Sequence, residues 1–325
     1  MNAARDALVV GAGVSGLTTA ICLAEDGWSV RVVTKDLPHD TTSVVAGALW
    51  GPSFQEPMVK TMAWTDQSLA DFTALAENPA SGVRMARTFT VSTMPEGEPP
   101  PQARSIPELR ACAPDEVPAG FASGFHALMP LADMPRYLDH LTARLADAGV
   151  TVEQGTVASL DDAAREAPLV VNCTGLGARE LGDDSVRPVF GQHVVVTNPG
   201  LDLLFMELST ADEWTSFFPH SDRVVCGGVR IPDRWDRTPD PAVTERILAR
   251  VREREPRLRD AEVIEVVTGL RPDRPAVRVA TERLGSAWCV HNYGHGGNGV
   301  SLSWGCAREV AALAAELRDE LAWRL

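Results

Sequence analysis

The sequence predicts an α/β fold in which a Rossmann-like dinucleotide-binding domain is interleaved with a second domain rich in antiparallel sheet. Three observations lead to this prediction. A strand, a glycine turn and a helix follow one another near the N-terminus, a second strand comes directly afterwards, and residues 189–230 alternate short apolar runs with turns. The 325 residues are enough for one large domain or two interleaved ones.

The N-terminal unit has the order of a dinucleotide-binding βαβ motif. An apolar run at residues 7–10 leads into the G-x-G-x-x-G pattern of Gly11, Gly13 and Gly16, with Val14 between the last two glycines. These glycines allow a tight turn, a close approach of the backbone to a pyrophosphate, and close packing of helix on strand. Because the pattern opens a helix, the helix N-terminus would face the phosphates.

Two charged residues after the second strand are candidates for binding a ribose. Asp36 lies 20 residues beyond Gly16, near the place where a Rossmann acid binds a ribose hydroxyl, and Lys35 precedes it. In a Rossmann fold, the ribose-binding acid usually stands at the last position of the second strand. An ordinary surface charge therefore remains the alternative for both residues.

Two further segments are suited to bringing backbone amides close to a phosphate or a flat ring. The first is a hydroxyl-rich turn followed by small residues, with the candidates Thr41, Thr42, Ser43, Gly47, Ala48 and Leu49. The second has four glycines within six positions before the last predicted helix, with the candidates Gly296, Gly297, Asn298, Gly299, Val300 and Ser301.

The rest of the chain supplies the other elements. Helices are predicted at 133–148, 241–255 and 305–325. Strands are predicted at 29–34, 150–153, 169–172, 192–197, 203–207, 216–218 and 223–229. The proline-rich stretch 79–118 is expected to hold only loops and short elements of the second domain.

Composition narrows the classes of function. Thirty basic residues against 44 acidic ones give a net charge of −14, which disfavours nucleic acid and anionic membranes as partners and favours a small molecule. The start of the chain lacks the long apolar run of a secretory signal, so a cytoplasmic location is expected. Six cysteines without a C-x-x-C pair predict free thiols and no metal site.

Six segments of the chain resemble the D-amino-acid oxidase family of flavoproteins, with D-aspartate oxidase as a close relative. They are GAGVSGL, TTSVVAGALW, MPRYLDHLTARLADAGV, VVNCTG, GLRPDRPAVRV at 269–279 and HNYGHGGNGVSLSWGCA at 291–307. The resemblance implies bound FAD and oxidative deamination of a D-amino acid to the 2-oxo acid, ammonia and hydrogen peroxide. A hydride would pass from the substrate Cα to flavin N5, and oxygen would take the electrons.

The resemblance also implies a division of the chain and further cofactor contacts. The FAD-binding domain would comprise residues 1–52, 132–187 and 284–325, and the substrate domain 53–131 and 188–283. Val157, Thr174 and Gly175 are expected to join the glycine turns in binding FAD. A homodimer is compatible with this family.

Two residues are predicted from the resemblance to hold the substrate. Arg278 would bind its carboxylate through two charge-assisted hydrogen bonds, which sets the face that Cα presents to the flavin. The backbone carbonyl of Gly297 would receive its amine. No general base is required, so His291 and His295 are expected to be structural hydrogen-bonders.

The sequence departs from the family pattern at the substrate pocket. The tyrosines expected within residues 212–219 are missing, and Arg230 stands where a D-aspartate oxidase carries an arginine. Arg230 could therefore favour an acidic substrate, or it could point outward and pair with Asp233 or Asp236. An oxidase of a specialised pathway amine or N-substituted amino acid, and a non-catalytic flavin-binding protein, remain as alternatives.

Overall fold

The computed structural model describes residues 6–95, 103 and 105–322. Residues 1–5, 96–102, 104 and 323–325 lie outside this description. They include part of the proline-rich stretch and the last residues of the predicted C-terminal helix. In the described part of the chain, two separate sheets carry the fold, and helices pack against each of them.

The first sheet is the predicted dinucleotide-binding sheet. Its strand order is β14-β15-β7-β1-β2-β6, and all neighbours are parallel except the hairpin formed by β14 and β15. The strands are β1 (Asp6–Val10), β2 (Ser29–Thr34), β6 (Thr151–Gln154), β7 (Leu169–Asn172), β14 (Arg278–Leu284) and β15 (Ala287–Tyr293). The carboxyl ends of β1, β2 and β7 therefore meet at one edge, where such sheets bind nucleotides.

Helices cover this sheet and bury its apolar residues. They are α1 (Val14–Glu25), α2 (Met58–Ala76), α3 (Met134–Asp147), α4 (Leu160–Glu166) and α6 (Gly299–Ala322). The helix α1 is almost wholly buried because it packs against β1, β2, α3 and α6. None of the described helices is long and apolar enough to cross a membrane.

The second sheet is largely antiparallel, as the sequence predicted. Its order is β12-β8-β11-β10-β9-β3-β5-β4, and β13 pairs with β8 outside this path. The strands are β3 (Val83–Ser92), β4 (Arg110–Ala111), β5 (Ser123–Ala132), β8 (Arg187–Thr197), β9 (Leu204–Leu208), β10 (Glu213–Pro219), β11 (Arg223–Val229), β12 (Ile231–Pro232) and β13 (Val263–Asp273). The helix α5 (Pro241–Arg254) covers β8, β10 and β11.

The structure contains several elements that the sequence did not predict, among them the strands β5, β13, β14 and β15. The strand β3 occupies ten residues within the stretch expected to hold only loops and short elements, because its partners β5 and β9 bury it. The helix α2 was not predicted, and α6 begins at Gly299 rather than at residue 305.

Two elements from the ranges assigned to the substrate domain pack with the dinucleotide-binding sheet. The strand β14 begins at Arg278, inside the range assigned to the substrate domain, yet it belongs to the dinucleotide sheet. The helix α2 lies in the range 53–131 but packs on α6, beside the same sheet.

Gly305 allows the close crossing of α2 and α6. A Cβ at this position would lie 2.1 Å from the carbonyl oxygen of Trp64, and the Gly305 amide donates to Ser68 Oγ at 2.9 Å. The backbones of the two helices thus touch where a side chain would not fit.

We expect Gly305→Ala to lower the free energy of unfolding by about 1–3 kcal/mol, because the added methyl group overpacks this crossing. Urea denaturation measures the change. Gly51→Ala is the matched control, since a Cβ there meets nothing within 4 Å. Equal stability of the two variants would contradict the packing argument.

Candidate active site

The glycine turn between β1 and α1 is closed to side chains. A Cβ on Gly11, whose φ is +105°, would lie 2.5 Å from the Cys173 carbonyl oxygen, and one on Gly16 would lie 1.9 Å from the Gly11 carbonyl oxygen. Each glycine is therefore required by close backbone contacts between β1, α1 and the end of β7.

The same turn presents free amides. Thr34 Oγ1 accepts from the Ala12 amide at 3.1 Å, and Ser43 Oγ accepts from the Val14 amide at 3.0 Å. The amides of Gly13 and Ser15 have no acceptor among the described residues. Free amides at a helix N-terminus form a binding site for the phosphates of a dinucleotide.

The other predicted nucleotide contacts lie at or near the carboxyl edge of this sheet. Lys35 and Asp36 follow β2 directly, and their side chains are exposed. Thr174 and Gly175 follow β7, where Thr174 Oγ1 donates to Asn172 Oδ1 at 2.7 Å. Val157 packs against the small apolar cluster around Val10.

Residues 41–49 join the dinucleotide turn to the second sheet. Ser43 binds α1, while Thr42 Oγ1 donates to the Leu270 carbonyl of β13 at 3.2 Å. Thr41 Oγ1 donates to the Pro38 carbonyl at 2.7 Å and thereby closes the turn.

The end of this segment has little room for side chains. A Cβ on Gly47 would lie 2.4 Å from the Phe218 ring. Ala48 adopts a left-handed φ of 56°, and Leu49 forms a bridge to Leu131 of β5. The predicted small residues thus lie at the junction of the two sheets.

The glycine loop before α6 lies against the end of β13. A Cβ on Gly296 would come within 2.9 Å of Asp273 Oδ1, and one on Gly297 would lie 3.6 Å from Arg271 Cδ. Asn298 Nδ2 donates to Gln55 Oε1 at 3.1 Å.

The start of α6 is held by the segment that precedes α2. Ser301 Oγ accepts from the Gly51 amide at 3.2 Å. The helix begins with Gly299 and Val300, so its N-terminal amides lie beside the glycine loop. The second predicted backbone-lined segment is therefore assembled next to a cationic side chain of β13.

Arg271 is a cation with no carboxylate partner among the described residues. Its Nη1 donates to the carbonyls of Val229 at 3.0 Å and Phe190 at 3.4 Å, while Nε and Nη2 have no acceptor within the described chain. Burial, and then the charge of Arg230, lower the pKa of Arg271 to about 10, so the guanidinium remains charged at neutral pH. The residue nevertheless keeps some contact with solvent, so a small molecule can reach its guanidinium.

Arg278, the predicted carboxylate ligand, is engaged by other protein groups. It donates to Tyr293 Oη at 2.8 Å and to Glu282 Oε2 at 3.0 Å, and its Nη1 lies 3.8 Å from Asp183 Oδ2. Burial would lower the pKa of Arg278, but Tyr293, Glu282 and Asp183 raise it. These contacts occupy the fork that a substrate carboxylate would need.

Asp183 gathers the neighbours of Arg278 into one network. Its Oδ2 accepts from Arg274 Nε at 2.9 Å and from Tyr293 Oη at 2.8 Å. Burial alone would raise the pKa of Asp183, but hydrogen bonds from Ser185, Tyr293 and Arg274 lower it below its usual value. The network fixes the β13–β14 connection to β15, which leads into the glycine loop.

The wall beside Arg271 comes from β10 and β11. The ring of Trp214 lies 5.9 Å from the Arg271 guanidinium and occupies the space in which a Cβ of Gly228 would lie. Arg230 is about half exposed, and its Nε lies 3.7 Å from Asp212 Oδ1. Its acidic neighbour is therefore Asp212 rather than the expected Asp233 or Asp236.

Comparison with known proteins identifies the family. Residues 6–313 match the family described as FAD dependent oxidoreductase. The chain belongs to this family. It is 44% identical over 310 residues to a D-amino-acid oxidase of Rubrobacter xylanophilus, with 95% of each chain covered, and 45% identical over 314 residues to one of Streptomyces coelicolor, with 95% and 97% covered. It is 32% identical to the human D-aspartate oxidase, with 97% and 96% covered.

A solved structure shows the same fold at low identity. The glycine oxidase of Geobacillus kaustophilus superposes with a TM-score of 0.79 at 21% identity, covering 96% of this chain and 94% of the other. The cofactor of the family is FAD, and the described residues fit it. The free amides of Gly13 and Ser15 suit its pyrophosphate, and the crowded glycines leave no side chain in the way.

Sequence reasoning missed Arg271 and Trp214 as site residues. The segment 269–279 holds three arginines, at 271, 274 and 278, each beside or near a proline. Only Arg271 projects beside glycines of two other segments, Gly191 and Gly297. Residue type alone does not distinguish Arg271 from Arg274 and Arg278, because the difference lies in the folded conformation. The place of Arg271 directly after the pair Gly269–Leu270 was a usable signal in the sequence.

We expect Asp183→Asn to destabilise the protein by about 3 kcal/mol near pH 7, because it leaves Arg274 and Arg278 poorly compensated. The pKa of Asp183 is lowered on folding, so its contribution is present above the usual carboxylate range and is lost as the pH falls below about 4. Urea denaturation of both proteins between about pH 2.5 and pH 8 tests this. A stability difference that grows toward low pH would contradict it.

Proposed function

We propose that this protein is an oxidase that uses FAD and oxygen to convert a D-amino acid and water into the 2-oxo acid, ammonia and hydrogen peroxide. The observation that carries the proposal is the unpaired guanidinium of Arg271 beside the backbone of Gly297. The D-amino-acid oxidases that are 44% and 45% identical over nearly the whole chain support the same activity.

Two groups of the protein would position the substrate. The free edge of the Arg271 guanidinium binds the α-carboxylate, and the carbonyl of Gly297 accepts a hydrogen bond from the α-amine. Arg271 thereby replaces Arg278 in the role expected from the sequence. With two of the four groups on Cα fixed, the α-hydrogen of one enantiomer points toward the cofactor.

The chemistry itself needs position rather than a base. The redox chemistry would come from bound FAD, which would accept a hydride from Cα and reduce oxygen. His295 is held by Asn292 Oδ1 at 3.1 Å, and burial lowers its pKa to about 4, so it is neutral at neutral pH. His291 is held by Glu282 Oε2 at 2.9 Å. Both histidines thus have structural partners, in keeping with a mechanism that proceeds from the neutral amine.

We further propose that Arg230 favours substrates with a second carboxylate. Its charge lowers the pKa of Arg271, so the two cations lie near each other, and its Nε lies 3.7 Å from Asp212 Oδ1. A second carboxylate would give this cation a further anionic partner, which a neutral side chain cannot supply. The 32% identity to a D-aspartate oxidase supports the proposal.

We place the reaction in a reducing compartment such as the cytoplasm. Five of the six cysteines are buried, and the described residues contain no disulfide. Burial raises the pKa of Cys173 to about 12, so this thiol stays protonated and unreactive. Such thiols suit a protein that never forms disulfides.

Anaerobic mixing of the yellow holoenzyme with D- and L-amino acids tests the activity. Loss of the flavin absorbance with a D-series, followed by one peroxide per substrate when oxygen is admitted, supports the proposal. A panel with D-Asp, D-Glu, D-Ala, glycine and N-alkyl glycines also defines the substrate class. Bleaching only by N-alkyl glycines would favour the oxidase of an N-substituted amino acid, and no bleaching would favour a flavin-binding protein without turnover.

We expect Arg230→Ala to lower the ratio of kcat/KM for D-Asp to that for D-Ala by about tenfold, because one half-exposed charge pair is lost. Steady-state peroxide assays on both substrates measure the ratio. Arg257→Ala removes the same charge from an exposed pair with Glu255 and serves as the control. An unchanged ratio in Arg230→Ala would show that the guanidinium points away from the substrate.

A further inference from the structure

His193 of β8 is a polar side chain that the mechanism does not use, and it lies near Arg271. The two residues are close enough for the charge of Arg271 to act on the imidazole. Gly191, two positions earlier on the same strand, lies under the guanidinium, because its Cβ would come within 2.5 Å of Arg271 Nη2. Side chains two positions apart on a strand share one face and begin about 7 Å apart, so a single small molecule can reach both.

The hydrogen bonding of His193 leaves one ring nitrogen available. Nδ1 lies 3.1 Å from the Val45 carbonyl oxygen, which can only accept, so Nδ1 carries the proton. Burial, and then the charge of Arg271, lower the pKa of His193 to about 4, and the ring is therefore neutral at neutral pH. Nε2 is then a hydrogen-bond acceptor, and it has no partner among the described residues.

The position of this nitrogen is defined by Gly227 of β11. A Cβ on Gly227 would lie 2.6 Å from His193 Cδ2, 3.1 Å from Nε2 and 3.4 Å from Ser216 Oγ. The missing side chain of Gly227 thus provides the space into which the imidazole edge and the hydroxyl both project. Strand register places Ser216 directly opposite Gly227.

Ser216 completes a polar pair on this face of the sheet. Its Oγ makes no hydrogen bond within the described chain, although the residue as a whole is buried. His193 itself keeps partial contact with solvent. A neutral acceptor and a hydroxyl that share the space beside Gly227, neither with a partner among the described residues, form an incomplete hydrogen-bonding site.

We propose that His193 and Ser216 form a subsite for a hydrogen-bond donor at the end of the substrate side chain, such as a hydroxyl or a primary amide. The inference rests on the proposed oxidase function and adds hydroxyl and amide side chains as a class of substrate distinct from the acidic one proposed for Arg230. The α-carboxylate is held by Arg271, and the side chain extends across β8 and β11 toward Nε2. An isosteric apolar side chain would leave both polar groups unpaired, which is the costlier outcome.

Isosteric substrates test the subsite directly. D-Asn is compared with D-Leu, and D-Thr with D-Val, by the ratio of their kcat/KM values. We expect His193→Leu to lower both ratios by about tenfold and Ser216→Ala to lower them by about threefold, since each removes one hydrogen bond. The ratios, rather than absolute rates, are the readout, so a general loss of activity does not affect the test.

Two further variants separate the subsite from a structural role of the ring. His193→Asn retains a donor at the position of Nδ1 for Val45 but has no acceptor at Nε2, whereas His193→Gln carries its amide at the ε position. The proposal predicts lower ratios in the Asn variant and ratios nearer to the wild type in the Gln variant. Loss in the Leu variant alone would mean that His193 only supports residues 41–49, which would overturn the proposal.

The failure of this inference is distinguishable from that of the proposed function. If the wild type oxidises D-amino acids and all variants keep the wild-type ratios, the subsite is refuted while the oxidase remains. A shifted flavin spectrum in His193→Leu with unchanged ratios would assign the imidazole to the cofactor and would also refute it. If no D-amino acid bleaches the wild-type flavin, the oxidase proposal fails first.

Discussion

The burial of one uncompensated cation governs the arrangement of this active site. Removing a guanidinium from water without an anionic partner costs several kcal/mol, so a protein retains such a group only where a ligand completes it. Arg271 is in this condition, since its described partners are two backbone carbonyls. In the proposed reaction, the α-carboxylate of the substrate supplies the missing charge, and its binding recovers part of the cost.

The surrounding chain is built to leave room for that cation and its ligand. A side chain on Gly191 would collide with Arg271, and Gly297 lies beside the same residue. In the same way, Gly227 leaves space for His193 and Gly228 leaves space for Trp214. Gly191, Gly227 and Gly228 belong to strands of the second sheet, whereas Gly297 belongs to the loop before α6. Residues 41–49 hold these segments together, because they contact α1, β13 and β10 at once.

Much of the fold could be predicted from the sequence, because local patterns specify it. The strand–turn–helix order around Gly11 and Gly16 needs only neighbouring residues, and the structure has it as predicted. The strand β3 could not be recognised in this way, since its burial depends on β5 and on the distant β9. The helix α2 likewise depends on Gly305, far along the chain, for its packing surface.

The cofactor segments were more predictable than the substrate residues for the same physical reason. Backbone amides that bind phosphate require glycines at fixed local spacing, and this leaves a signature in the sequence. To recognise the proposed carboxylate ligand, one has to know which of the three arginines in segment 269–279 lacks a carboxylate partner in the folded protein. Glu282 is on the same strand as Arg278, but Arg278 meets Tyr293 only through the pairing of β14 with β15, and it meets Asp183 only through the packing of the segment before β8. These tertiary contacts distinguish Arg278 from Arg271.

The most direct test of this account is the kcat/KM of the best D-amino acid in Arg271→Leu and Arg278→Leu, both purified with full FAD content. We expect a fall of at least about a hundredfold in Arg271→Leu, because a buried charge-assisted contact to the substrate is lost. In Arg278→Leu we expect a fall of less than about tenfold, accompanied by lower stability. A large loss in Arg278→Leu with little change in Arg271→Leu would contradict the assignment of the carboxylate site.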